Sequence, residues 1–336
     1  MIDSQVCTLS SLESPELLAW SEVLRPLWDP VGTDGKPFVM HRKMWEWLFI
    51  CAVLSERGVL AAGRRGLGFG VGQEPLVAVF ANLGVEIVAT DLPPDLAIER
   101  GWTTSGREYS ETIGALNAAG LCPHDAFQQL VTFRPVDMVA IPSDLHGFDF
   151  DWSSCALEHL GSLEAGLEFL VEQMRCIRPG GFAVHTTEYN VSSNDDTIDS
   201  GGTVLYRRRD IEAVILRLRR EGYRVQCDFT LGDTPSDRHV DVAPFSDVHL
   251  RTRLGEFATT SLGLVIHKPD DWQRRPDKAA GDPVSRLQRL LGTLRPGRAG
   301  RPPAPPADPA TSSPDAEPGR TGTWRPRQES NPQPDG

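Results

Sequence analysis

The sequence predicts an α/β protein with a doubly wound, mostly parallel seven-stranded sheet, an N-terminal helical cap and a C-terminal tail. Three observations carry this. From residue 60 onward, apolar strand segments alternate with helical segments, and strands separated by helices pair in parallel through right-handed crossovers. A glycine run, Gly66-Leu67-Gly68-Phe69-Gly70-Val71-Gly72, stands between the first of these strands and the next helix. An acid, Asp91, ends the following strand, 19 residues after Gly72.

The elements follow in order. Ser14-Pro15-Glu16 combines a cap residue, a proline at the first helical position and an acid in the first turn. A second helix spans 42–57, with Trp45, Leu48, Phe49 and Ala52 on one face and Gly58 as its stop. Residues 1–58 therefore read as a helical cap, and residues 59–272 as the main domain. After the glycine run, a helix is predicted over 74–83 and a buried strand over 85–90. Helices near 107–119 and 124–130 come next, then strands over 131–136 and 148–153. An amphipathic helix over 163–177 ends at Arg178-Pro179-Gly180-Gly181 and leads into a strand over 182–186. A helix from Asp210 to Arg220 and strands over 223–231 and 259–267 complete the pattern. The last two strands have no helix between them, which suits antiparallel pairing. No internal repeat is visible.

The tail stands apart by composition. Residues 295–336 hold 11 of the 27 prolines and almost no large apolar side chains, so ordering this stretch is not offset by burial. Residues 273–336 carry a net charge of +4, which leaves −16 on residues 1–272. So acidic a body argues against a nucleic-acid surface and against anionic membranes. The six cysteines show no CxxC pair and no metal-ligand spacing, and read as buried thiols. The first residues lack a basic stretch followed by an apolar run, and Met44–Leu54 is interrupted by Glu46 and too short to span a bilayer. A cytoplasmic location is the resulting expectation.

Glycines at a strand-to-helix turn let a ligand approach the backbone and open a helix N-terminus to it. A carboxylate at the end of the next strand can accept both hydroxyls of a ribose. This much suits NAD or S-adenosylmethionine. The dinucleotide fingerprint requires a further glycine three residues after the second. Counted from Gly68 and Gly70 that place is Gln73, and counted from Gly66 and Gly68 it is Val71. The run is GxGxG, which favours a ligand without a pyrophosphate.

At these residues the chain resembles the class I S-adenosylmethionine-dependent methyltransferases, most nearly the small-molecule, type 11-like branch. The resemblance covers residues 60–190 well and 203–267 more loosely. It implies a Rossmann-like fold with the last strand inserted antiparallel. It implies that Gly68, Gly70 and Gly72 hold the methionine part of the cofactor and that Asp91 binds the ribose. Asp137 and Met138 match the adenine-pairing position, and Ser154 ends the fourth strand of the pattern in Phe148–Ser154. Leu157-Glu158-His159-Leu160 and Arg178-Pro179-Gly180-Gly181 match the stretches after that strand and before the fifth. One departure is present: Gly66 stands where the family usually carries an acid, and Glu74 is the candidate to replace it.

The implied activity is methyl transfer from S-adenosylmethionine to a small-molecule acceptor, first of all a hydroxyl of a sugar or secondary metabolite. Aligning acceptor and methyl can be worth roughly 7–11 kcal/mol, and a general base adds about 10²–10⁴ in rate. The candidate bases are His185 and Glu188 at the end of the fifth strand, and His159 after the fourth. His159 could equally shape the cofactor pocket. His239, Asp241 and His249 offer an acceptor-binding or metal-ligating group, or a solvated loop. The segment 192–199 (SSNDDTID) could supply oxygen ligands to a metal but lacks the spacing of a calcium loop. Arg207-Arg208-Arg209 at a helix start opposes the macrodipole, which would suit binding of an anionic group. Two rival readings are a nicotinamide-dependent oxidoreductase and a non-catalytic protein of the same fold. No Tyr-xxx-Lys pair is present to support the first. The oligomeric state is left open.

Overall fold

A computed structural model describes residues 1–27, 40–102, 109–246 and 248–273. The proline-rich tail expected from the composition lies outside the described residues. The N-terminal segment forms β1 (Ser4–Val6), α1 (Leu9–Leu12), α2 (Pro15–Leu24) and α3 (Arg42–Glu56). Ser14 caps α2 as its sequence predicts, accepting from the Leu17 amide. In α3, Arg42 and every residue from Met44 to Leu54 are buried. A helix buried on all sides is surrounded by protein rather than laid on a surface. Its Phe49 ring lies against Gly263 and leaves no room for a side chain there.

The main domain continues with β2 (Arg65–Gly68), α4 (Leu76–Asn82), β3 (Glu86–Asp91), α5 (Pro94–Glu99), α6 (His124–Leu130) and β4 (Val131–Pro135). Then come β5 (Phe148–Ser154), α7 (Leu163–Glu172), β6 (Ile177–Asn190), α8 (Arg208–Arg220) and β7 (Cys227–Asp228). The chain closes with α9 (Pro235–Arg238), β8 (Thr252–Leu254) and β9 (Phe257–His267). In place of the helix expected near 107–119, a short 3₁₀ turn covers Ile113–Asn117.

One sheet runs in the order β4-β3-β2-β5-β6-β9-β1-β7, with β8 added on β9. The pairs from β4 to β6 are parallel, and β9 is antiparallel to β6 over nine residue pairs. Both faces are covered. One core packs α3 and α4 against Phe150, Trp152 and Val265. The other packs α7 and α8 against Phe148, Leu264 and Ile266. All seven residues of β5 are buried, as parallel strands between two helical layers require. Each large apolar side chain so enclosed stabilises the fold by about 1.5–3 kcal/mol.

The fold class is the one the sequence predicts, with two differences. The sheet has nine strands among the described residues, not seven. Residues 4–6, expected inside a helical cap, instead form β1 between β9 and β7. That insertion explains the second difference. The strand expected over 223–231 shrinks to β7, which pairs with β1 rather than with β9: β1 takes β9 at Leu262 and Gly263, and Arg224 bridges to His267. All six cysteines are free thiols, four of them fully buried.

Candidate functional site

The chain runs from β2 outward to β3 and β4, then returns to β5 on the other side of β2. The crevice beyond the carboxyl ends of β2 and β5 is where open α/β sheets bind ligands. Gly68 ends β2 there. Hydrogen bonds from Phe69 N to Trp152 O (2.9 Å), Val71 N to Thr90 O (3.1 Å) and Thr90 Oγ1 to Gly68 O (2.7 Å) hold the glycine loop between its neighbours. Gly70 has φ +56°, a left-handed conformation that favours glycine. A Cβ on it would come 2.9 Å from Ala156 Cβ and 3.4 Å from Met138 Sδ. The loop therefore touches the ends of β4 and β5 at once, and three separate sequence motifs meet at Gly70.

Asp91 lies beside them. Its Oδ2 accepts from Gly72 N and Ser110 N, both at 3.0 Å, and its Oδ1 from Leu92 N at 2.8 Å. A carboxylate offers roughly four acceptor positions, so one remains for a hydroxyl. Burial pushes its pKa up to about 6, against the pull of those three amides. Asp137 accepts from Val139 N and from Arg100 Nη2, and Met138 is buried next to it. The missing acid at Gly66 has a steric reason: a Cβ there would lie 2.5 Å from the Phe150 ring.

The other half of the crevice is built by α3, which the sequence reading treated as cap. Glu46 has no solvent exposure. Its Oε1 accepts from Ser261 Oγ (2.5 Å) and Cys155 Sγ (3.0 Å). Its Oε2 accepts from Ser154 Oγ (3.1 Å) and Thr186 Oγ1 (3.3 Å). Lys43 lies 3.1 Å away and Arg42 3.5 Å away. Burial pushes the carboxyl up, but the charges of Lys43 and Arg42 and the bonds from Ser261 and Cys155 outweigh it and leave it lowered. Arg42 also pairs with Glu188, whose Oε2 accepts from Thr259 Oγ1 at 2.6 Å. Lys43 reaches Glu74 at 3.8 Å, and burial pushes Glu74 up to about 7 despite the nearby Lys43 charge and Trp47. One helix thus ties together the end of β5, the second half of β6, the middle of β9 and Glu74 just after the glycine loop.

Of the sequence-predicted bases, His185 lies on the opposite face of β6. It is fully buried against Phe169, 2.9 Å from Ser153 Oγ and 3.4 Å from Asp151. Burial pulls it down to about 3. The alternation of β6 is the reason: Thr186 and Glu188 point towards α3, and His185 points towards α7. A catalytic His185 does not fit this position. His159 stands in the 3₁₀ turn Leu157–His159, its Nδ1 donating to Gly202 O at 2.8 Å and its ring edge-on to Trp102. Ser154 meets Glu46.

The remaining candidates are used within the fold. His249 Nδ1 is 2.7 Å from Asp241, and the His249 ring stacks on His41, the N-cap of α3. This clasp fastens the loop before β8 to the start of α3. His239 stands beside it, 3.6 Å from Asp241. Arg207 and Arg209 both donate to Asp195 O, so the arginine cluster holds the 192–199 segment. Cys155 Sγ and one carboxylate oxygen each of Glu158 and Glu188 lie within 4.8 Å of one another, as a metal site would need. The Cys155 thiol is pushed well up by burial and by Glu158 and Glu46, and Glu188 is already held by Arg42 and Thr259. That donor set is poor for a cation.

The residues missed by sequence reasoning are Arg42, Lys43, Glu46 and Glu158. Glu46 carried a signal: it is the one charge inside the apolar run Met44–Leu54. No helix among the described residues is long and apolar enough to cross a membrane.

The strand order, the antiparallel β9 and the glycine loop followed by Asp91 make this a Rossmann-like, doubly wound α/β fold. No family model matches the chain, and no curated protein matches it by sequence. Solved structures do. A candidate sarcosine dimethylglycine methyltransferase from Galdieria sulphuraria is 21% identical over 52% of this chain and 52% of its own, with TM-score 0.33. Haemonchus contortus phosphoethanolamine N-methyltransferase 2, bound to phosphomonomethylethanolamine and S-adenosylhomocysteine, is 18% identical over 50% of this chain and 35% of its own, with TM-score 0.32. A S-adenosylmethionine-dependent methyltransferase from Aquifex aeolicus is 16% identical over 75% of this chain and 96% of its own, with TM-score 0.36. The chain spans about half the length of the first and about a third of the second.

Proposed function

We propose that this chain transfers the methyl group of S-adenosylmethionine to a small-molecule acceptor, first of all a hydroxyl. The observation that carries the reading is the 3.0 Å hydrogen bond from Gly72 N to Asp91, which joins the glycine loop to the acid beside it. The residues fit the cofactor. The left-handed Gly70 leaves its backbone open, and Asp91 keeps an acceptor position for the ribose. Asp137 and Met138 stand at the β4 end for the adenine, with Gly68 and Gly72 flanking the methionine part. Glu74 replaces the acid that Phe150 excludes from position 66, held over the loop by Lys43. The cofactor supplies an electrophilic methyl when bound. The chain itself contributes binding, orientation and exclusion of water: α3 and its Glu46 network close the crevice beside the ends of β5 and β6, where an acceptor would lie.

The acidic body suits a cationic ligand and disfavours nucleic acid and anionic membranes as partners. Glu188 and His159 line this edge but are tied to Arg42 and Gly202, and they act as its framework. Calorimetry with S-adenosylmethionine, S-adenosylhomocysteine and NADH tests the reading. Binding of the first two and not the third is expected. Absence of S-adenosylmethionine binding at millimolar concentration overturns it. Asp91→Ala should weaken the cofactor on the order of 100-fold, since hydrogen bonds to a charged group contribute about 1.5–3 kcal/mol each. Isotopically labelled cofactor incubated with metabolite pools, followed by mass spectrometry, then finds the acceptor.

A further inference from the structure

We infer that Glu158 is the general base that takes the proton from the acceptor, an inference that rests on the methyl-transfer reading. Glu158 follows the β5 end by four residues, in the turn that begins at Cys155 and Ala156. Ala156 is the residue that abuts Gly70 of the glycine loop, so this turn borders the cofactor crevice. Cys155 is the one described non-glycine residue with positive φ, +46°. Such strain gathers at functional turns, where surrounding structure holds it in place.

Glu158 is fully buried, yet its carboxylate is only half satisfied. Oε2 accepts from Thr187 Oγ1 at 3.0 Å. Oε1 is enclosed and accepts no hydrogen bond. No cation pairs with Glu158 among the described residues, whereas Glu46 and Glu188 on the same edge each have one. A buried carboxylate left this way costs stability unless a ligand completes it. Its oxygen also lies within 4.8 Å of the Cys155 sulfur, and Cys155 is part-exposed at the crevice. One unpartnered oxygen in the turn that borders the glycine loop has room for one donor bond: the reacting O–H of the acceptor. The other carboxylate here, Glu188, has both oxygens engaged.

The step balances without a further reactant. The acceptor hydroxyl gives its proton to Oε1 of Glu158. Its oxygen forms the new O–CH3 bond as the C–S bond breaks, and the electron pair of that bond stays on sulfur. Thr187 holds Oε2 so that Oε1 stays aimed at the acceptor.

The test uses the full chain, labelled S-adenosylmethionine and the metabolite fraction that the wild type labels. Glu158→Gln keeps the shape and removes the base. Its labelling rate should fall on the order of 10²–10⁴-fold. Its affinity for S-adenosylhomocysteine, and its retention of the labelled product in equilibrium dialysis, should stay within about threefold of wild type. Glu158→Gly with added formate should recover part of the lost rate, because formate can enter the vacated space and accept the proton. A structural carboxylate gives no such rescue. A Glu158→Gln rate within threefold of wild type overturns the inference while leaving the methyl-transfer reading intact. So does a rate loss matched by equal loss of product binding with no formate rescue. Loss of S-adenosylhomocysteine binding by the wild type itself strikes the underlying reading instead.

Discussion

On one face of the sheet Glu46 accepts hydrogen bonds from Ser154, Cys155, Thr186 and Ser261 and pairs with Lys43 and Arg42. On the other face Asp151 is as deeply buried, accepts no hydrogen bond, and has His185 at 3.4 Å. Both carboxyls are fully buried. Glu46 ends below the ordinary carboxylate range and Asp151 well above it, where burial dominates over the distant Lys268 charge. The charges and hydroxyls around Glu46 thus favour its ionised form, whereas burial favours the protonated form of Asp151. Burial alone does not mark a functional carboxylate; the groups turned towards it do. The face that collects hydroxyls and cations is the face covered by α3.

The largest expected effect breaks the charged side of this comparison. Glu46→Ala leaves Arg42 and Lys43 facing a cavity, and loss of one partner of a buried pair costs about 3–5 kcal/mol. A fall in Tm, read by calorimetry, checks this. A drop under about 1 kcal/mol shows that the network is not holding α3 to the strands. The same residue has a signed pH signature. Its folded pKa is lowered, so its contribution is complete above the unfolded value and is lost as pH falls through the folded one. Glu46→Gln should therefore flatten the loss of stability below about pH 4.5.

A smaller effect concerns Asp91. It protonates as pH falls through about 6 and then gives up acceptor capacity. Affinity for S-adenosylmethionine should weaken several-fold between pH 7.5 and 5, and Asp91→Asn should remove that slope in calorimetric titrations. The smallest effect falls on the other face. Burial favours the protonated form of Asp151, so Asp151→Asn should change stability at acid pH by less than about 1 kcal/mol. Because its folded pKa is raised, wild-type stability falls as pH rises above the unfolded value, and Asp151→Asn should lose that decline. Strong destabilisation at pH 4 shows instead that the carboxyl is ionised.

The proposed cofactor half of the site could be named from the sequence because its signals are local. Gly68, Gly70 and Gly72 must turn the chain, and Asp91 must end a strand, so spacing alone names them. The acceptor half could not be. His185 and Glu188 are three residues apart on one strand, and alternation sends them to opposite faces. Glu46 and Ser154 are 108 positions apart and touch only because α3 is buried against the strand ends. Glu158 stood in the sequence beside a more conspicuous histidine. Its unpartnered oxygen is a property of what surrounds it in space.

The sequence by itself determined the alternation of strands and helices, the parallel sheet, the glycine turn and the separation of an acidic body from a proline-rich tail. Each follows from periodicity, backbone freedom or charge within a short window. Only the tertiary structure decided that residues 4–6 complete the sheet, that a cap helix supplies the charged wall beside the strand ends, and which buried carboxyls have cations turned towards them. The physical reason is that ionisation and access in a protein interior depend on partners brought from distant parts of the chain, and no local pattern records them.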